Sequence, residues 1–250
     1  MEHTSERIAR CRSREGRADM AKVIIALDVP TLDEALGLVD SLGEETDFYK
    51  VGLELFTREG PSVVRALTGR GKRIFLDLKL HDIPNTVAGA VRSASELGVD
   101  LLTVHTAGGP AMLEAAAEAS GPDMRILGVT LLTSLTPTDL EVVWGREIRS
   151  IREEVGRLTD LAVACELDGV VASALEVSWI RNRVEQDFLM VTPAIRPTGA
   201  NRGDQRRVAT PADAVSAGSD YLVVGRPVTQ ADDPVAALAA LLAELGSDDS

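Results

Sequence analysis

Cysteine is nearly absent from this sequence: 250 residues hold two, Cys11 and Cys165. Two thiols with no metal-ligand spacing exclude a disulfide-built fold and offer no zinc site. A reducing, cytoplasmic setting is the expectation that follows. Long apolar runs are missing too. No stretch reaches the roughly 18 residues a membrane-spanning helix needs, so no membrane partner is expected. The first 19 residues, MEHTSERIARCRSREGRAD, have no apolar segment that would make a secretory signal, and their acidic members weigh against a transit peptide. Residues 1–20 therefore read as a disordered extension or the product of an upstream start codon, with Met20 a natural start before the first strand. The terminal GSDDS reads as a frayed tail. Basic residues are outnumbered, 26 Lys and Arg against 39 Asp and Glu, for a formal charge of −13. That argues against general affinity for nucleic acid or anionic membrane. It does not argue against a small anionic ligand, because a local group of Lys and Arg can outweigh the global field.

What is present is alternation. Short apolar runs, rich in β-branched residues and Leu, occur at Val23–Leu27, Phe48–Val51, Arg73–Lys79, Leu101–His105, Ile126–Thr130, Gly169–Ala172, Leu189–Thr192 and Tyr221–Val224. Most lack in/out polar alternation, as expected of parallel strands covered on both faces. Between them lie helix-period segments: Leu32–Leu42, Pro61–Thr68, Val87–Leu97, Ala111–Ala119, Ile148–Glu166, Ala212–Ala217 and Pro234–Leu245. Gly98, Gly121 and Gly218 follow helical runs where a C-terminal cap belongs. Length and composition alone fit one large α/β domain or two small ones. With no linker and no internal repeat, the expectation is one domain over residues 21–246.

Eight strands alternating with helices fit a (β/α)8 TIM barrel or a doubly wound sheet. The polar residues decide between them. Asp28, Lys50, Lys79, His105, Thr133, Ser173, Arg196 and Arg226 all fall at or just beyond C-terminal strand ends. In a barrel those ends converge on one mouth, whereas a doubly wound sheet concentrates function at one switch point. The barrel is predicted.

The densest charge lies in Phe75-Leu76-Asp77-Leu78-Lys79-Leu80-His81-Asp82-Ile83-Pro84-Asn85-Thr86. On a strand, Asp77 and Lys79 project to one face while Leu76, Leu78 and Leu80 face the covering helices. Opposite charges on an inward face are costly unless paired or facing a wet mouth. By itself the spacing fits a structural ion pair, with Asp82 capping a helix begun by Pro84, as well as it fits a catalytic site.

The whole string DLKLHDIPNT is more specific. It resembles the signature of the orotidine 5′-phosphate (OMP) decarboxylase family, and the similarity runs from about Val23 to Pro234. ALDVP with Asp28, FYKVGLELF with Lys50, VTLLTS, TPAIRP, GDQRR and VVGRPVT follow in the family's order. The resemblance implies a cofactor-free, metal-free decarboxylase turning OMP into uridine 5′-phosphate (UMP), the last step of de novo UMP synthesis. It also implies a homodimer with shared active sites. Lys79 would stabilise and protonate the C6 carbanion within a Lys50–Asp77–Lys79–Asp82 array, with Asp82 lent by the partner subunit. Asp28 and Lys50 would contact ribose hydroxyls with the partner's Thr86 nearby, and Ile83, Pro84 and Asn85 would complete that binding segment. Thr133 and Ser134 would meet the pyrimidine. Arg196, Gly225 and Arg226 would bind phosphate, with Gln205 of a lid bridging phosphate and base.

Other residues read more plainly. Asp28 could instead cap the next helix, although Thr31 or Asp33 could do that equally well. His105 reads as a packed or supporting histidine and His81 as structural. Trp144 and Trp179 read as packing residues, and Arg149–Glu154 as a solvated helix face. Two rival functions remain. One is a Mg²⁺-dependent phosphosugar decarboxylase or synthase of similar barrel architecture, whose resemblance would require a metal-binding acid where Lys50 stands. The other is a non-catalytic nucleotide-binding barrel.

Overall fold

A computed structural model of the chain describes residues 21–197 and 207–246. The expected disordered extension at residues 1–20, residues 247–250 of the expected frayed tail and Gln205 lie outside the described residues, whereas Gly246 ends the last helix, Pro234–Gly246. Eight strands close into a barrel in chain order: β1 (Lys22–Ala26), β2 (Phe48–Gly52), β3 (Arg73–Leu80), β4 (Leu101–His105), β5 (Arg125–Val129), β6 (Gly169–Val171), β7 (Leu189–Thr192) and β8 (Tyr221–Val224). Every neighbouring pair is parallel, and β8 closes on β1. The fold is the (β/α)8 TIM barrel that the alternation predicts.

Two cores follow from strand parity. Inward-facing Ile24, Ala26, Phe48, Phe75, Leu101, Leu127, Leu189, Val191, Tyr221 and Val223 fill the barrel. The alternate residues, including Ile25, Tyr49, Val51, Leu76, Leu102 and Met190, pack outward against the helices. Each large side chain so buried contributes about 1.5–3 kcal/mol. The helices start on local chemistry. Pro61, Pro84, Pro110, Pro137 and Pro211 occupy first-turn positions, where a missing N–H costs nothing. Thr136 with Asp139, and Thr210 with Asp213, form reciprocal capping boxes.

The N-terminal end of the barrel carries stabilising ion pairs. Asp100, Asp168 and Asp220, just ahead of β4, β6 and β8, each accept a backbone N–H from the preceding strand, from Ile74, Ile126 and Met190. Each also pairs with an arginine, respectively Arg73, Arg125 and Arg181. Arg73 lies over the Phe48 ring, 4.1 Å from its centroid. This end is built for closure, leaving the opposite mouth for chemistry.

Several expectations need correction. The helix predicted over Ile148–Glu166 runs Ile151–Ala164, because Arg146–Ser150 forms a connection whose Arg146 pairs with Glu154 at 2.6 Å. The run Arg149–Glu154 is therefore not wholly solvated: Glu154 is buried, and its hydrogen bonds from Arg146 hold its carboxyl below the usual range. Gly98 and Gly218 do adopt left-handed φ of 76° and 99° after their helices, but Gly121 does not. Ser120 caps that helix, and Gly121 is small because a Cβ there would meet the Ser95 hydroxyl. Helices Leu53–Glu59, Pro137–Trp144, Ala174–Arg181 and Arg226–Thr229 were not anticipated.

Candidate active site

Parity also builds the mouth. Two residues beyond inward-facing Ala26, Phe48, Phe75 and Leu101, the same face presents Asp28, Lys50, Asp77 and Thr103. The apolar filling thus gives way to polar groups in one layer across four adjacent strands. Lys50 Nζ lies 2.8 Å from Asp28 Oδ1 and 3.9 Å from Asp77 Oδ2. Lys79 Nζ lies 2.8 Å from Asp77 Oδ1. The charges alternate in the order Asp28, Lys50, Asp77, Lys79, so each ammonium is held against a carboxylate. Asp28 is available because Thr31 caps the following helix, accepting from the Glu34 amide.

Lys79 is not reached by an unbroken strand. Phe75 and Leu76 pair with Leu101 and Leu102, but the next partner of Val104 is Leu80. Strand β3 thus spends two more residues than β4 over this interval, and the bulge contains Lys79. Its φ is +51°, in the left-handed region that a lysine seldom occupies. Bulges of this kind re-aim side chains beside functional sites. Two side chains support the turn. Thr103 Oγ1 accepts the Lys79 amide at 2.8 Å and donates to Asp77 Oδ1 at 3.0 Å. Beyond the bulge, the His81 and His105 rings stack with centroids 5.5 Å apart. Burial, with the His81 ring and the Lys79 ammonium nearby, pushes His105 below the ordinary histidine range. Its Nδ1 accepts the Ala107 amide, which makes it a neutral supporting ring.

The other predicted residues among those described follow the C-terminal ends of their strands on the same rim. Within the chain, Asp82 joins none of these ion pairs; its carboxylate accepts the Ile83 amide at 2.6 Å. His81 through Thr86 are all exposed, Ile83 by 67%. Thr133 and Ser134 lie on the connection after β5, Arg196 is buried after β7, and Gly225 and Arg226 open a short helical turn after β8. A Cβ at Gly225 would lie 3.5 Å from Asp28 Oδ2, which ties the end of β8 to the charged layer. Among the described residues, no group of three His, Cys, Asp or Glu side chains could hold a metal ion, and no helix is long and apolar enough to cross a membrane.

Sequence reasoning missed three contributors. Thr103 looks like any β-branched strand residue, although its parity with Leu101 and His105 would have placed it inward. Gly52 ends β2 where a Cβ would come within 2.8 Å of Lys50 Nζ. Arg207 pairs with the buried Glu176 at 2.9 Å and donates to the carbonyl of Leu132 at 3.2 Å, joining the strand-six helix to the connection that bears Thr133.

A closed barrel with this charged layer at the C-terminal ends of its strands defines a (β/α)8-barrel enzyme. The sequence profile of the orotidine 5′-phosphate decarboxylase / HUMPS family matches residues 21–241. The orotidine 5′-phosphate decarboxylase of Moorella thermoacetica is 52% identical over 232 residues, covering 90% of this chain and 92% of that protein. That of Alkalilimnicola ehrlichii is 52% identical, covering 92% and 98%. The crystal structure of the Lactobacillus acidophilus orotidine 5′-phosphate decarboxylase superimposes with a TM-score of 0.81 at 38% identity, covering 92% of this chain and 100% of that one. The chain belongs to the orotidine 5′-phosphate decarboxylase / HUMPS family, and its kinship with these decarboxylases makes it a carboxy-lyase.

Proposed function

We propose that this chain decarboxylates OMP to UMP and CO2, completing de novo UMP synthesis, as a cytoplasmic homodimer using no metal or cofactor. The carrying observation is the Lys79 ammonium, held 2.8 Å from Asp77 on a left-handed backbone at the mouth. Breaking the C6–carboxylate bond leaves an electron pair on an sp² carbon with no adjacent π-system that readily takes it up. A preorganised ammonium can stabilise that charge and then supply the proton that forms the C6–H bond. Solvent reprotonates the resulting amine. Asp77 orients Lys79 beside the departing carboxylate, and Lys50 orients Asp77.

In the same reading Asp28 and Lys50 bind ribose hydroxyls, and Thr133 and Ser134 meet the pyrimidine. Arg196, the Gly225 backbone and Arg226 take the phosphate, as the last strands of such barrels commonly do. The exposed segment Asp82, Ile83, Pro84, Asn85 and Thr86 serves the partner's site, and Gln205 joins phosphate to base. The family's metal-dependent phosphosugar branch fits less well, because an ammonium at position 50 is a poor metal ligand.

The test is OMP with EDTA present, following pyrimidine absorbance and CO2. Turnover is expected to be unaffected by EDTA and abolished in Lys79→Ala, while that variant still binds UMP. EDTA-sensitive turnover favours the phosphosugar branch, and binding without turnover by the unmodified protein favours a non-catalytic barrel.

A further inference from the structure

We infer that Thr103 is a positioning residue for this chemistry: its one hydroxyl fixes both the backbone of Lys79 and the carboxylate of Asp77. The inference rests on the proposed decarboxylation and extends it to a residue outside the charged array.

In an unbroken parallel ladder, backbone amides of β3 would find carbonyl acceptors on β4. The two surplus residues of β3 between Leu76 and Leu80 suspend that ladder where the chemistry lies. Lys79 is inside the gap, and its amide goes instead to a side chain, Thr103 Oγ1, at 2.8 Å. A left-handed φ at a lysine persists only where the surroundings over-determine it. That hydrogen bond is the direct restraint on the amide of this residue.

The same oxygen points its proton at Asp77 Oδ1, 3.0 Å away, and Asp77 Oδ1 also receives the Lys79 ammonium. A hydroxyl has one proton to give and lone pairs to accept. Here the proton is committed to Asp77 and a lone pair to Lys79. The loop Lys79 amide, Thr103 hydroxyl, Asp77 carboxylate and Lys79 ammonium is therefore closed, so the backbone and the charged tip of one lysine are held from the same point. Thr103 is 0% exposed. Water has no access to replace its hydroxyl, and the β4 backbone holds it in place through pairing with β5.

Thr103→Val keeps the shape and β-branching while removing the hydroxyl, and Thr103→Ser keeps the hydroxyl. Misplacing a reacting group by about 1 Å costs on the order of 100-fold in rate. Expected for Thr103→Val is a fall in kcat on OMP of roughly ten- to 100-fold with KM within about twofold. Thr103→Ser should recover most of kcat. In parallel, hydrogen exchange at the Lys79 amide, measured without substrate, should quicken in Thr103→Val and return toward the unmodified rate in Thr103→Ser. Unchanged kcat in Thr103→Val overturns the inference, as does an equal loss in both variants, which would mark a packing role. If the unmodified protein does not turn over OMP, the functional reading falls. Amide exchange then decides for Thr103 alone, and unaltered exchange in Thr103→Val overturns it.

Discussion

Gly52 leaves no room for a methyl group beside Lys50. A Cβ there would lie 2.8 Å from Lys50 Nζ and 3.3 Å from Asp28 Oδ1. The glycine precedes helix Leu53–Glu59 with φ −96° and ψ −176°, a conformation alanine adopts freely. Its smallness therefore serves the ion pair rather than the backbone. Gly52→Ala should fold with a Tm within about 3 °C of the unmodified chain. Because the ammonium must move out of line with Asp28 and Asp77, kcat/KM for OMP should fall by roughly tenfold or more. Unimpaired turnover in the alanine variant would show that the position of Lys50 is not critical.

The part-buried pair of Glu176 and Arg207 makes a prediction about pH. Their side chains are 7% and 13% exposed. Burial raises the Glu176 carboxyl above its ordinary range, although the opposing pull of Arg207 keeps the pair together. Replacing Arg207 with Leu removes the ion-pair partner of this buried carboxylate, leaving the Ser173 hydroxyl and the charge of Arg152 to support it, at a cost of about 3 kcal/mol near pH 7, roughly 6–12 °C in Tm for a chain this long. The sign follows from linkage. With its folded pKa raised further, Glu176 binds a proton in the folded state that it loses on unfolding, so the variant gains stability as pH falls toward the unfolded carboxyl value. The Tm gap to the unmodified protein should narrow from pH 7 to pH 5. A gap that is constant or widens on acidification contradicts this account.

How much of this was legible in sequence depended on whether the signal was local. All eight strands appear as apolar runs because a parallel strand covered on both faces has little polar alternation to confuse the reading. The charges of Asp28, Lys50, Asp77 and Lys79 stood out because charge at an inward position is costly without a purpose. The β3 bulge was not legible, since register belongs to two strands at once; the parity argument brought Asp77 and Lys79 together on a regular strand that the structure interrupts. Thr103 and the Glu176–Arg207 pair were hidden for the same reason: each acquires its meaning from a neighbour brought near by folding, 31 residues away for the ion pair. Gly52, only two residues from Lys50, was hidden because its smallness matters only once the Lys50 ammonium folds back over it toward Asp28. The short helices Leu53–Glu59 and Arg226–Thr229 carry too little periodicity to register as helices.

Phosphate recognition yields a prediction on substrate rather than stability. Arg226 begins the turn after β8, next to Gly225, which itself abuts Asp28. If its guanidinium grips the phosphate, binding energy from that remote group supports the geometry at C6. Arg226→Ala should lower kcat/KM for OMP by about 100-fold or more while changing that for phosphate-free orotidine by less than about threefold. Equal losses on the two substrates would remove Arg226 from phosphate binding.

Whether two subunits build each active site can be tested in solution. In the single chain Asp82 joins no ion pair of the array, and the segment from His81 to Thr86 is exposed, with Ile83 67% open to solvent. A segment so placed, directly after the Lys79 bulge, is positioned to be offered outward. If Asp82 completes the site of a partner subunit, Lys79→Ala and Asp82→Ala homodimers should each be nearly inactive. Co-refolded at equal concentration they would form hybrids in about half of all dimers. Each hybrid collects both substitutions in one site and leaves the other intact, so the mixture should regain roughly a quarter of unmodified activity. A site built from one chain, Asp82 included, gives no such recovery at any mixing ratio. Titrating the ratio distinguishes the two: recovered activity should peak at equal proportions and fall away on either side.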